Sequence, residues 1–136
     1  QLKGIEIPEA LVPLAIDEFP VLFVAAAAAE GKTVLTGAEE LRVKESDRIQ
    51  VMADALNAVG IDAQPTQDGM VIQGGRQSAQ KGEIQSHHDH RISMAMTIAG
   101  LNAVDEILID DCANVNTSFP TFIELVNQIG MSVEVE

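Results

Sequence analysis

The densest chemistry in this sequence lies at residues 41–49, Leu-Arg-Val-Lys-Glu-Ser-Asp-Arg-Ile. The chain owns only eight lysines and arginines, and three of them, Arg42, Lys44 and Arg48, fall in this stretch beside the carboxylates Glu45 and Asp47. Ile49, Val51, Met52, Ala55, Leu56 and Val59 follow at helical spacing. Ser46 immediately before that run, with Asp47 in the first turn, predicts a helix start. Arg42, Lys44 and Glu45 then lie on the approach to a helix N-terminus, and Arg48 lies in its first turn. Free backbone N–H groups and the positive end of the dipole suit that place to an anion. Cations there are unfavourable for the helix until an anion neutralises them. The plainer alternative is a solvated charged cap whose acids and bases pair with one another.

A second polar cluster is His87-His88-Asp89-His90-Arg91. His and Asp are common metal ligands, but adjacent residues point in different directions and no second cluster supplies matched ligands, so a metal is not expected. A pH-sensitive loop is another reading. The third makes Arg91 an anion clamp at a helix start, oriented by Asp89 and flanked by His90. That logic matches Arg48, and two arginines at related helix entries are less ordinary than one.

The elements that position these residues must be built on a nearly aromatic-free core, with four Phe, no Tyr and no Trp among 136 residues. A formal charge of −13 argues against nucleic acid and anionic membrane as partners, though not against a small anion in a local basic pocket. The single cysteine, Cys112, permits no internal disulfide and fits a reducing cytoplasm. No stretch is expected to span a membrane, and no signal-peptide pattern is evident. The chain does not begin with Met, which suggests a piece of something longer.

Along the chain, residues 2–7 read as a strand ended by Pro8, and residues 10–16, interrupted by Pro13, as an irregular connection. Asp17-Glu18-Phe19-Pro20 predicts entry to an apolar, alanine-rich, buried helix that Gly31 stops. Residues 33–36 read as a strand, and the helix after the charged stretch should end at Gly60. Residues 61–64 and 70–73 read as paired strands around a turn at Gln67-Asp68-Gly69, followed by a polar loop over 74–82. A strand at 83–85, a helix from Asp89 to about Asn102, a strand at 106–109, a helix entered through Asn116-Thr117-Ser118-Phe119-Pro120 and ended by Gly130, and a last strand at 131–135 complete the reading. Asp17 to Ser46 is the same distance as Asp89 to Ser118. The expectation is an α/β fold in a single domain fragment, with two copies of a β-α-β-α-β(-β) unit over about 1–75 and 76–136. The four helix entries at Asp17, Ser46, Asp89 and Ser118 would gather at one end of the layer.

At this point a resemblance emerges. Leu41-Arg42-Val43-Lys44-Glu45-Ser46-Asp47-Arg48 and Asp89-His90-Arg91-Ile92-Ser93-Met94-Ala95 closely resemble the two signature stretches of the 5-enolpyruvylshikimate-3-phosphate synthase family. Ile16-Asp17-Glu18-Phe19-Pro20 and Thr117-Ser118-Phe119-Pro120 extend the likeness over nearly the whole chain. The resemblance implies transfer of the enolpyruvyl group of phosphoenolpyruvate to shikimate 3-phosphate with release of phosphate, without metal or organic cofactor. It implies domains of three β-α-β-α-β-β units around buried helices, of which this chain would hold two from the C-terminal domain, leaving the N-terminal domain as a missing partner. By motif, Asp17 matches the aspartate that contacts shikimate hydroxyls and accepts a proton, and Glu45 the acid handling the proton at the methylene carbon. Lys44 matches a shikimate-phosphate lysine, Arg48 and Arg91 the two arginines that grip phosphoenolpyruvate, and His90 a neighbour of that site. Thr117 stands where some branches carry a lysine, so no role is carried to it. The motif wording looks closest to the branch noted for glyphosate tolerance, but residues that usually set tolerance lie in the missing domain. Two alternatives stand beside this reading: the sister transferase acting on UDP-N-acetylglucosamine, and a non-catalytic anion-binding domain.

Overall fold

The computed structural model describes residues 1–75 and 78–136. Residues 2–7 run parallel to the first strand, β1 (Gly31–Leu35), tied to it by Gly4 N to Glu30 O at 2.8 Å and Ile7 N to Val34 O at 2.9 Å. The pairing amounts to isolated bridges at Lys3 and Glu6, a looser form of the expected strand. Between these two runs the chain is helical almost throughout. A 3-10 turn (Glu9–Leu11) leads into α1 (Val12–Ala15), a second 3-10 turn (Ile16–Glu18) and α2 (Phe19–Ala28).

This corrects two expectations. The segment around Pro13 is ordered helical turn rather than irregular, because Pro sits within the first turn of α1, where its missing N–H has no intrahelical partner to lose. In addition, Glu9–Ala28 is 20 residues long with mean hydropathy 1.8, long and apolar enough by length and composition to cross a membrane. The same run opens with one 3-10 turn and is interrupted by another; Phe19, Phe23, Ala26 and Ala27 are buried in the core, while Leu11, Leu14, Val21 and Leu22 are exposed. Residues interior to an α/β core need the same apolar composition as a span.

After β1 a 3-10 helix (Glu39–Val43) carries the chain to α3 (Arg48–Ala58). Gly60, at φ 83°, ends that segment as expected. β2 (Asp62–Pro65) and β3 (Met70–Gly74) form the expected hairpin, and β3 is central in an antiparallel sheet of order β1-β3-β2. Gly74 is required where β3 passes under α2, since a Cβ there would stand 2.1 Å from Ala26 O. The expected polar loop over 74–82 falls partly on Arg76 and Gln77, which lie outside the described residues. Ala79, beyond them, is buried and bridges Ala103.

β4 (Gly82–Gln85) then pairs in parallel with β5 (Ile107–Asp110), joined through α4 (His90–Ala99) and a 3-10 turn (Gly100–Asn102). The chain ends with α5 (Val115–Ser118), α6 (Phe122–Gln128) and an extended tail. The helix expected to start at Asn116 is two short pieces, because Pro120 removes a backbone donor and disfavours helical backbone at Phe119. The expected strand at 131–135 is also not formed. Val133 N and O bond the side chain of Asn127, at 2.8 and 3.0 Å, rather than a neighbouring strand. Asn57 holds Ala63 in the same two-bond fashion after α3, and there β3 completes the ladder.

One main core of apolar side chains, mostly aliphatic, joins both parts. Phe19 and Phe23 on α2, Ile49, Met52 and Leu56 on α3, Ile72 on β3, Ile84 on β4, and Ile92 and Met96 on α4 are all essentially inaccessible. Each such side chain stabilises the fold by about 1.5–3 kcal/mol relative to exposure. α2 and α4 pack directly, and α3 touches both, so the N-termini of α3 and α4 are held rigidly near one another.

Candidate anion-binding site

The two expected helix entries carrying arginine meet. α3 is capped by Asp47, whose Oδ1 accepts from Gln50 N at 3.0 Å, so the cap is one residue later than the expected Ser46. Ser46 is occupied elsewhere: its Oγ donates to Asp89 Oδ2 at 2.8 Å. Asp89 itself caps α4, accepting from Arg91 N at 3.0 Å.

Arg48 is the centre of the site. Its side chain is 1% exposed, yet it meets three carboxylates. Nε and Nη2 reach Asp89 Oδ2 and Oδ1 at 2.9 and 3.3 Å, a side-on fork with a carboxylate that is itself 0% exposed. Nη1 donates to Asp17 Oδ1 at 3.1 Å and Nη2 to Glu45 Oε2 at 2.6 Å. Those two acids are 48% and 52% exposed, so the outer edge of Arg48 faces the solvent side of the cluster. Burial alone would weaken the hold of Arg48 on its proton. The bonds and charges of Asp89, Glu45 and Asp17 outweigh that and raise its pKa above the ordinary arginine value. For Asp89, burial pushes the pKa up, but bonds from Arg48 and Ser46, the Arg48 charge and the Arg91 N–H together bring it below the usual carboxylate range. The pair is therefore ionised across all ordinary pH.

Asp17 is placed between the cations. Its carboxylate meets Arg48 and, at 3.7 Å, Lys44 Nζ, while its backbone oxygen accepts from Arg91 Nη1 at 3.0 Å. It does not cap α2, whose N-cap is Glu18 with no side-chain bond. The Asp17 motif marks the site instead of the helix start. Lys44 also pairs with Glu40 Oε1 at 2.8 Å, and chiefly that bond raises its pKa, with burial opposing. Arg91 adds Glu18 Oε1 at 3.3 Å, and His90 opens α4 half-buried beside it. Five of the named residues, Asp17, Lys44, Glu45, Arg48 and Arg91, thus form one connected network, with His90 adjacent in sequence.

Arg42 behaves differently from its neighbours. Its Nε donates to Gln67 O at 2.8 Å, Nη2 to Thr66 O and Nη1 to Asp47 Oδ2 at 2.7 Å. It fastens the β2–β3 turn to the α3 cap, with all three of its nitrogens bonded there. Ser118, the fourth expected entry, lies inside α5 and its hydroxyl bonds Val115 O at 3.4 Å. The residue whose central place the sequence reading missed is Asp89. A carboxylate just before His90-Arg91 was a visible signal for a cap, but its bond to Arg48, 41 residues earlier, was not.

Among the described residues no group of three or more His, Cys, Asp or Glu side chains is arranged to hold a metal ion. His88 Nδ1 lies 2.9 Å from Asp111 Oδ1, while Asp89 turns inward to Arg48. An apolar pocket of about 230 Å³, lined by Val24, Ala28, Leu56, Ile98 and Leu101 among others, shares no residue with the polar network. The ion-pair cluster, not that hollow, has the chemistry for recognising an anion.

The family model described as EPSP synthase (3-phosphoshikimate 1-carboxyvinyltransferase) matches residues 1–126. A 3-phosphoshikimate 1-carboxyvinyltransferase of Hydrogenovibrio crunogenus is 83% identical over 133 residues, covering 98% of this chain and 30% of the relative. The protein of that name from Methylococcus capsulatus is 64% identical over 135 residues, covering 99% of this chain and 30% of the relative. A solved EPSP synthase from Acinetobacter baumannii superposes with a TM-score of 0.96 at 59% identity, over 100% of this chain and 32% of that one. The chain therefore spans about 30% of the length of the curated relatives it matches. Over that span, sequence and α/β architecture agree, and this chain belongs to the EPSP synthase family.

Proposed function

We propose that the chain supplies one wall of a site that transfers the enolpyruvyl group of phosphoenolpyruvate to shikimate 3-phosphate, within a longer protein in the cytoplasm. The observation that carries this reading is the outer edge of Arg48, bonded to Asp17 and Glu45, with Lys44 and Arg91 both in contact with the same Asp17. A carboxylate or phosphate oxygen arriving at that edge replaces Asp17 and Glu45, and guanidinium forks match its geometry. Arg48 and Arg91 hold phosphoenolpyruvate, His90 borders it, and Lys44 meets the phosphate of shikimate 3-phosphate.

The two displaced carboxyl groups then stand where proton transfer is needed, Asp17 as a carboxylate that accepts a proton and Glu45 as an acid that has taken one up from solvent. A substrate hydroxyl oxygen bonds to the enol carbon of phosphoenolpyruvate, its proton passing to Asp17, while Glu45 delivers a proton to the methylene carbon. The tetrahedral adduct so formed loses phosphate as a proton leaves the new methyl group, regenerating the double bond. Two carboxyl groups in different protonation states suit such a sequence. The chemistry uses no metal or organic cofactor.

The domain organisation is part of the proposal. Residues 1–75 and 76–136 are two copies of one unit. The parallel pairs (residues 2–7 with β1, and β4 with β5), each joined through a helix packed on the core, support it, as do the matching Asn57 and Asn127 brackets. The remaining walls come from the rest of the longer protein, so this chain alone has no transferase activity. In the full-length protein Glu45→Gln is expected to fold normally and lose most turnover, since Gln keeps volume and hydrogen bonding but not the proton. Phosphate release and melting temperature measured together test this. Near-normal turnover in Glu45→Gln, or turnover by this chain alone, contradicts the reading.

A further inference from the structure

Arg48 has two edges in very different surroundings. The outer edge is bonded by acids about half exposed, Asp17 and Glu45. The inner edge, Nε with Nη2, is held by Asp89 at 0% exposure, and Asp89 spends its remaining acceptor capacity on Ser46 Oγ and Arg91 N. Both carboxylate oxygens are thus committed, each to one Arg48 nitrogen and one further donor. The two bonds from Arg48 to Asp89 are buried, so a ligand exchanging onto the outer edge leaves them intact.

We propose that Asp89 is a positioning residue for the anion fork. It grips the buried edge of Arg48, so that the outer edge stays aimed outward when Asp17 and Glu45 let go. By capping α4 through Arg91 N, it also sets the first turn that carries Arg91. One side chain thereby fixes the relative placement of both arginines, which lie on different helices. Without that grip the long Arg48 side chain would regain rotamer freedom, and a ligand would have to order it again at each binding event. Asp89 itself touches neither substrate.

This rests on the proposed assignment of Arg48 and Arg91 to phosphoenolpyruvate. The test uses the full-length protein and Asp89→Asn, which keeps the α4 cap because Asn caps as well as Asp. KM is measured separately for phosphoenolpyruvate and for shikimate 3-phosphate, and phosphoenolpyruvate is also titrated calorimetrically into both proteins. The expected result is an increase of about tenfold in KM and dissociation constant for phosphoenolpyruvate, the scale of one charged hydrogen bond. KM for shikimate 3-phosphate stays within about twofold of the original on the same reasoning. Unchanged phosphoenolpyruvate affinity, or an equal loss for both substrates, overturns the role of Asp89, since a merely structural aspartate moves both together or neither. Failure of the unsubstituted protein to bind phosphoenolpyruvate at all defeats the site assignment first, and the positioning role with it.

Discussion

The entries of α3, α4 and α6 all place a residue type suited to capping at the N-cap, Asp47, Asp89 and Thr121, and end in opposite states. At the first two, Asp47 and Asp89 cap N–H groups with their side chains, and a buried guanidinium ties one entry to the other. At the third, Thr121 makes no side-chain cap, Phe119 is 41% exposed, and its ring meets only Phe122 among aromatic neighbours. The difference teaches where charge becomes structural. Exposed acid and base near a helix start contribute little, whereas a buried pair has to be satisfied completely or the core fails.

Breaking the buried pair should therefore give the largest effect. Asp89→Ala leaves Arg48 charged, buried and unbalanced on its inner edge, at a cost of about 3–5 kcal/mol. In the full-length protein this should appear as a large fall in melting temperature. Replacing both partners, as Arg48→Met with Asp89→Leu, should recover most of that loss, because apolar residues need no pairing. A double variant as unstable as Asp89→Ala would show that the pair's bonds, rather than the orphaned charge, carry the stability.

Acid should expose the same pair. The folded pKa of Asp89 lies below its unfolded value, so its stabilising contribution is complete above the unfolded value of about 3.9 and is lost as pH falls through the lower folded pKa. Melting temperature followed downward from pH 5 should decline, and Asp89→Asn should flatten part of that decline. An unaltered slope in the variant would remove Asp89 from the acid response.

Cap substitutions sharpen the comparison at smaller scale. Asp47→Ala should cost about 1 kcal/mol and Asp47→Asn much less, because Asn accepts the Gln50 N–H nearly as well. Thr121→Ala, with no cap bond to lose, should stay within about 0.5 kcal/mol of the unaltered protein. Equal effects at Asp47 and Thr121, measured by thermal unfolding, would erase the distinction between the two kinds of entry.

Much of this was legible in the sequence wherever the signal is local. The β2–β3 hairpin around Gln67-Asp68-Gly69, the helix stop at Gly60 and the apolar run of α2 follow from turn chemistry and periodicity within a few residues. The site residues were legible as types, since Lys44, Glu45, Arg48 and Arg91 crowd at two helix entries of an otherwise acidic chain. What failed was non-local or competitive. Asp17 was expected as a helix entry, and its carboxylate instead faces Arg48, 31 residues on. Arg42 and Arg48 are chemically identical in sequence, yet one is spent on the Thr66 and Gln67 carbonyls and the other on three acids. The tail at 131–135 has strand composition and its own Asn127 bracket, but a strand exists only with a ladder partner, and among the described strands none pairs with it. Composition likewise could not separate a membrane-length apolar run from a core helix bent by 3-10 turns.

On the proposed reading, the outer edge of Arg48 binds an anion through the planar geometry of its guanidinium and not merely through its charge. Titration of phosphoenolpyruvate into the full-length protein with shikimate 3-phosphate present, compared with the Arg48→Lys variant, tests it most directly. Lysine keeps the charge but cannot fork between Asp89 and a ligand, so affinity should fall by about tenfold or more. Equal affinity in the two proteins would contradict the account.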